Sequence, residues 1–401
     1  MAADTTQILA LATWRLSEDA SVLREPPRPP EAREPGFEDR FDFRTVFYDV
    51  FELDGEIVLL GPPLLNLRDG LESARWRLDG VPVRVDLGVD RLGKISFSRI
   101  AEDQVPRRAW LRRSRPRRLE IESVLGSATV EVSPSAADLF AGRRVLSTMQ
   151  KENSLGWMRD WVSFHVQEHG VDAVLIYDNG SASYTPSEVL DVVASVPGVA
   201  SAVVVPWRFP YGPVTSGDPA AHDYEERTRG HDSAFCQLGG LNHARLRVLA
   251  RAEGVINADI DELVIAGDRR SVFAHAHESA SGVARYRGRW IEGVADDPRP
   301  AGGTTDDDAP VRHRDFVRFD PDATPALPKW TVVDKGEGLG SFWRPHVIAG
   351  RSEFTEAVSY RHFRAISTHW KYARDLAPQH ELEVDGALRE VLDERFPPAG
   401  D

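Results

Sequence analysis

Three carboxylates, Asp259, Asp261 and Glu262, stand together in the stretch GVINADIDELVIAG. An apolar run enters them and another leaves, which is the pattern of a strand. Charge inside a packed strand is costly unless a metal ion, a basic side chain or water meets it. In an extended segment Asp259 and Asp261 point to the same side. Two like charges that close drive one toward protonation unless a cation sits between them. Mg²⁺ and Mn²⁺ favour one or two carboxylates together with water and phosphate oxygens. An Asp-X-Asp at a strand end is therefore suited to holding a metal-diphosphate.

The surrounding pattern places these residues. RRVLSTMQ reads as a strand, and SLGWMRDWVSFHVQEHG as a helix with Ser154 as N-cap and Gly170 as its stop. DAVLIYDNGS is an apolar strand running into a turn, TPSEVLDVVASV a helix opened by Pro186, and GVASAVVVPW another buried strand. HDSAFCQLGGLNHARLRVLARAEG is a helix weakened by Gly239 and Gly240, and VINADIDELVIA follows as a strand. Alternating strands and helices imply an α/β fold with a mostly parallel sheet. Ligands of such sheets bind beyond the carboxyl ends of the strands. Three polar clusters should meet there: Lys151, Glu152 and Asn153; Asp178, Asn179, Gly180 and Ser181; and the carboxylates at 259–262. The alternative for the Asp178 cluster is ordinary turn chemistry, since Asp-Asn-Gly-Ser is a good turn by itself.

Before this half lies a different pattern. Residues 22–38 are rich in Pro and charge and read as an extended or disordered lead-in. From Phe41 onward short alternating runs such as VPVRVDLGV predict a β-rich, antiparallel module. Its basic run RRAWLRRSRPRRLE reads as a solvated loop or edge, or as an anionic partner site. The expected domains are a lead-in over 1–40, the β-rich module over 41–142, an α/β domain over 143–375 and a tail over 376–401. A net charge of −14 argues against a general nucleic-acid or membrane-surface binder. The single cysteine, Cys236, leaves no internal disulfide and fits a reducing compartment. No stretch reaches the length of a membrane span and the N-terminus is a poor signal peptide, so the expectation is a cytoplasmic protein.

MQKENSLGWMRDWVSFHVQEHGVDAVLIYDNGS resembles the opening of GT-A glycosyltransferases of the family 92 and family 2-like groups. NADIDEL resembles their Asp-X-Asp-Glu motif. PKWTVV, RPHVIAG and YRHFRAISTHWKYARD resemble their C-terminal Lys and His segments. The resemblance spans about residues 143–375 and departs from the family in the Lys-Glu-Asn order at 151–153. It implies a GT-A, Rossmann-like fold and a nucleotide-sugar donor, with UDP as its nucleotide. By carry-over, Lys151, Glu152 and Asp178 border base and ribose, in the company of Asn153 and Asn179. Asp259 and Asp261 hold Mn²⁺ or Mg²⁺ on the diphosphate. His346 or His362 adds a metal or phosphate contact, and Lys329 offsets phosphate charge. His165 and His169, four apart on a helix, have the spacing of a zinc pair, but a structural role is the better reading.

The expected activity is transfer of a sugar from that donor to a glycan or other hydroxyl acceptor. An inverting reaction needs a carboxylate base, for which Glu262, Glu292 and Asp306–Asp308, Asp308 among them, are candidates. Trp290, Phe342 and Trp343 are candidates for stacking on a sugar, or core aromatics. Two other readings stand beside this one. The first is a metal-dependent phosphohydrolase or nucleotidyltransferase, and the second a non-catalytic carbohydrate-binding protein.

Overall fold

The computed structural model describes residues 4–90, 93–106, 115–213, 234–295, 311–350, 353–368, 370 and 380–396. The chain divides into two units, each discontinuous in sequence: residues 1–9, 137–207 and 249–401 form one, and residues 10–136 and 208–248 the other.

The first unit is built on a sheet of nine strands. In chain order they are β1 (Thr5–Ile8), β2 (Arg144–Gln150), β3 (Ala173–Asp178), β4 (Ser201–Pro206), β5 (Gly254–Asn257), β6 (Glu262–Ala266), β7 (Val283–Ile291), β8 (Ala326–Val333) and β9 (Val358–Phe363). Across the sheet they run β1-β4-β3-β2-β5-β8-β7-β9-β6. The first five are mutually parallel. β8 runs antiparallel to both β5 and β7, β9 runs parallel to β7, and β6 closes the sheet antiparallel to β9. The fold is thus α/β with a mixed, mostly parallel sheet. Its strand order reverses between β2 and β5, which makes the crevice beyond their carboxyl ends a topological switch point.

The helices form where caps and periodicity place them. Helix α1 (Leu155–His169) starts where Ser154 Oγ accepts the Gly156 N–H and stops at Gly170, whose φ of 67° is left-handed. Helix α2 (Pro186–Ala194) opens with Pro at its first position and a capping box between Thr185 and Glu188. Helix α3 (Val272–Glu278) follows β6, and helix α4 (Gly386–Arg395) ends the described chain. One apolar core joins Leu146, Trp161, Val174, Ile256, Val264 and Tyr286 with Leu388, Val391 and Leu392 of α4. Residues 386–395, read from sequence as tail, therefore belong to this core. Asp385 caps the helix by accepting the Leu388 N–H.

The segment VINADIDELVIA is not one strand. β5 ends at Asn257 and β6 begins at Glu262, and a tight turn separates them. The Glu262 N–H donates to the Asp259 carbonyl at 3.0 Å. The Glu262 carboxylate accepts the Asp259 N–H at 2.8 Å. Glu262 thereby caps its own turn, and the extended alternation expected of Asp259 and Asp261 is broken.

β6 lies at the sheet edge, where unpaired backbone groups need cover. Two buried histidines of α1 provide it. His165 Nε2 accepts the Val264 N–H at 3.4 Å, and His169 Nε2 donates to the Val264 carbonyl at 2.8 Å. Burial holds the His165 pKa down to about 3 and that of His169 to about 4, so both rings are neutral. The pair is structural and holds β6 in place.

The second unit is β-rich and antiparallel in its main sheets. Arg117–Ser123 pairs with Gly126–Val132 and with Arg75–Leu78, while Glu56–Gly61 pairs with Asp49–Leu53 and Ser96–Ile100. The lead-in departs from its expected disorder. Arg24 is buried and donates to the carbonyls of Pro63, Asp42 and Thr45. The helix Phe235–His243 and the π-turn after it belong to this unit, where His243 and Arg247 both reach the buried Asp49. The first part of the basic run, residues 107–114, lies outside the described residues. Among the described residues no helix is long and apolar enough to cross a membrane.

Candidate functional site

The acidic turn carries the candidate site, and strand register assembles the rest around it. On β9, His362 stands opposite Glu262 of β6 on one side and Trp290 of β7 on the other. Residues in register share a face of the sheet, so all three side chains converge. His362 Nε2 lies 3.1 Å from Asp261 Oδ2, and its Nδ1 lies 3.9 Å from Glu262 Oε1. The Trp290 ring stacks on His362 at 4.0 Å, and the Arg364 guanidinium covers the indole at 4.5 Å. Two residues before His362, Tyr360 fills the place opposite Gly288. A Cβ on Gly288 would meet the Tyr360 ring at 2.2 Å, so the sequence needs glycine there.

Lys329 enters from β8 and is 3% exposed. Its Nζ lies 2.9 Å from Asp259 Oδ2 and 2.9 Å from Glu262 Oε2. Burial pulls its pKa down, yet the two carboxylates outweigh burial and hold it well above the usual lysine range. Glu262, 1% exposed, is pushed up by burial and by Asp259 and Asp261, against the pull of Lys329 and His362. Burial, with Glu262 next, also raises the Tyr360 hydroxyl pKa. The turn itself is tied down from outside. The Phe363 N–H donates to the Asp261 carbonyl at 2.8 Å, and buried His313 places Nε2 2.9 Å from the Ile260 carbonyl.

This geometry can hold a divalent cation. The ligand atoms of Asp261, Glu262 and His362 all lie within 4.8 Å of one another. Glu262 Oε1 is buried and accepts no hydrogen bond from the described residues. Three carboxylates against the one ammonium of Lys329 leave an excess of negative charge, and the two oxygens and one nitrogen suit Mn²⁺. Asp259 and His346 are not in this group. Asp259 faces Lys329, and His346 Nδ1 lies 2.9 Å from the Pro328 carbonyl.

The other sequence clusters meet one another at the ends of β2 and β3. The Asn179 N–H donates to the Gln150 carbonyl at 2.8 Å, and the Glu152 N–H to Ser181 Oγ at 2.8 Å. Asp178 is buried, and its carboxylate is occupied by its own turn and by Gln150 of β2. Oδ1 accepts from Gln150 Nε2 at 2.5 Å and Ser181 Oγ at 2.6 Å; Oδ2 accepts from the Gly180 and Ser181 N–H groups at 3.2 Å. Glu152 adopts a left-handed φ of 57°, and its carboxylate accepts the Ala182 and Ser183 N–H groups. Those bonds, together with Lys151, hold its pKa down against the burial that raises it. Asn153 is buried beside Gln150, and Asn179 Nδ2 donates to the Trp207 carbonyl at 2.7 Å. The Lys151 carbonyl accepts from Thr368 Oγ1 at 3.1 Å. The Asp178 bonds to Gly180 and Ser181 are turn chemistry, and the others tie the two strand ends to each other, to Trp207 and to Thr368.

Of the base candidates, Glu262 is inside the site. Glu292 is buried and accepts from Arg364 Nε at 2.9 Å. Asp306–Asp308 lie outside the described residues. Trp343 is a buried core residue that donates to the Leu339 carbonyl at 2.7 Å. Sequence reasoning missed Tyr360 and Arg364. The signal for them was the alternation of YRHFR, which sets Tyr360, His362 and Arg364 on one face.

No protein-family model and no curated protein matches the chain.

Proposed function

We propose that the protein is a metal-dependent glycosyltransferase that takes a nucleotide-sugar donor at the acidic turn between β5 and β6. The observation that carries this reading is the convergence of Asp261, Glu262 and His362 at one end of the sheet, with Glu262 Oε1 buried and accepting no hydrogen bond among the described residues. The switch point between β2 and β5 opens at the same edge. The resemblance of the motif at 259–262 to GT-A enzymes agrees with that reading. A Mn²⁺ or Mg²⁺ ion held by these residues supplies positive charge to the departing diphosphate.

The chain's own residues do the rest. Lys329 neutralises Asp259 and Glu262 before any ligand arrives, so the buried Glu262 carboxylate is tolerated in the free protein. Trp290 and Arg364 fix the His362 ring plane by stacking. His313 and Phe363 fix the turn backbone, so the carboxylates are preorganised. The acceptor is a hydroxyl compound, in keeping with glycosyl transfer.

The test is a thermal-shift screen of UDP, GDP, CDP and dTDP, each with and without Mn²⁺, on wild type and Asp261→Ala. A ligand at about 100 times its dissociation constant stabilises the native state by about 2.7 kcal/mol. One nucleotide, UDP by expectation, should raise the melting temperature only when both Mn²⁺ and Asp261 are present. A shift that survives Asp261→Ala unchanged, or no shift with any nucleotide, overturns the proposal.

A further inference from the structure

A separate cavity of about 300 Å³ is lined by Arg287, Arg289, Trp290, Phe319, Ser359 and Arg361, among others. Its volume is at the small end of ligand pockets. Three guanidinium groups at one cavity are unexpected in a chain of net charge −14. Strand register puts two of them there, because Arg289 of β7 and Arg361 of β9 are direct partners. They lie on the face opposite Trp290 and His362, since side chains alternate along a strand.

The counter-charges are few. Asp385, the N-cap of α4, receives Arg361 Nε at 2.5 Å and an Arg289 terminal nitrogen at 3.0 Å. Arg361 also donates to Ser359 Oγ at 2.6 Å. Asp320, in the cavity wall, is held by His380 Nδ1 at 2.6 Å. Arg287 is exposed, lies 5.5 Å from the Phe354 ring centroid, and makes no ion pair among the described residues. The three arginines thus face Asp385 and Asp320, with exposed Asp322 as a third acidic group beside His380, so the balance turns positive when His380 is charged. The His380 pKa is raised by Asp320, so that charge is favoured.

The aromatic walls define the ligand further. The Phe319 ring is covered by Arg289 at 4.1 Å, and the Trp290 indole lies between His362 and Arg364. Neither ring offers two open faces, so stacking is not the main attraction. Planar guanidinium groups recognise oxyanions by paired, charge-assisted hydrogen bonds. Arg361 is locked by Asp385 and Ser359, and Arg289 is half-committed to Asp385, which leaves Arg287 as the reaching cation.

We propose that this cavity binds a small oxyanion-bearing ligand, a carboxylate, sulfate or phosphate carried on a sugar-sized body, with Arg287 and Arg289 as its main contacts. The site needs neither metal nor nucleotide, and Trp290, whose indole stacks on His362, is the wall it shares with the proposed donor site.

The test is calorimetric titration of the full chain in EDTA with glucuronate, glucose 6-sulfate and glucose 6-phosphate, and with glucose as the neutral control. Wild type and Arg287→Glu are compared, with Arg344→Glu as an exposed charge control. At least one anionic sugar should saturate a single site in the millimolar range or tighter while glucose does not bind. Arg287→Glu should weaken it by about tenfold or more, as expected for loss of a charge-assisted contact, with the melting temperature unchanged. Which anion binds best identifies the oxyanion. Failure of all three anions to bind, equal binding of glucose, or equal weakening by Arg344→Glu overturns the proposal. Because metal is chelated and nucleotide absent, this outcome is independent of the donor screen.

Discussion

Two turns at the carboxyl ends of parallel strands flank β2, one at Asp178 after β3 and the other at Asp259–Glu262 after β5. Both look alike in sequence, as carboxylates following an apolar run. They differ in where the partners come from. Asp178 is satisfied by Gln150, Gly180 and Ser181, two of them within three residues of it. The acidic turn is met by Lys329 and His362, about seventy and one hundred residues away, and Glu262 Oε1 still accepts no hydrogen bond among the described residues. A carboxylate at a strand end is structural when its own turn supplies the donors. It is a candidate ligand group when distant strands must supply them and do not finish the task.

The sharpest way to break this comparison is to remove Lys329. Lys329→Met leaves buried Glu262 and half-buried Asp259 without their cation, and breaking a buried pair by loss of one partner costs about 3–5 kcal/mol. Urea denaturation in EDTA should show that loss, and added Mn²⁺ should recover part of it. A loss under about 1 kcal/mol would mean the carboxylates are not held as charges.

Acid should act on the acidic turn's side of the molecule. His165 and His169 have folded pKa values of about 3 and about 4, below the ordinary value near 6.5. Their contribution is fully present above pH 6.5 and is lost as pH falls toward 4, because the unfolded chain takes up protons first. At pH 5 each costs about 2 kcal/mol. Stability measured from pH 7 to 5 should fall, and His169→Gln should flatten the slope. A pH-independent stability in that window would contradict buried neutral rings on β6.

Asp178→Ala should cost about 2 kcal/mol by orphaning buried donors. Any Mn²⁺-dependent nucleotide binding should persist once the variant is folded. Asp261→Ala should do the reverse, with a small stability change and loss of metal. The smallest effect belongs to Glu152→Ala, about 1 kcal/mol from the Ala182 and Ser183 amides, read by chemical denaturation.

Much of the frame was legible in the sequence. Ser154, Gly170 and Pro186 mark helix ends by local chemistry, and the strands at 144–150, 173–178 and 201–206 are apolar runs between those marks. The break between β5 and β6 was not legible, because it depends on the Glu262 side chain turning back onto the Asp259 amide. The core role of α4 was hidden behind a polar composition, although Leu388, Val391 and Leu392 have helical spacing. The pairing of Glu262, His362 and Trp290 arises from antiparallel and parallel ladders between segments distant in sequence. No local pattern records such a register. The buried Arg24 illustrates the same limit, since its three carbonyl partners lie elsewhere in the chain.

The most direct test of the central claim is a Mn²⁺ titration followed by electron paramagnetic resonance on wild type, Asp261→Asn and Asp178→Asn. One saturable site in wild type and in Asp178→Asn, lost in Asp261→Asn, is the predicted result. Equal Mn²⁺ binding by all three proteins, or none by wild type, would contradict the assignment of the acidic turn as a cation site.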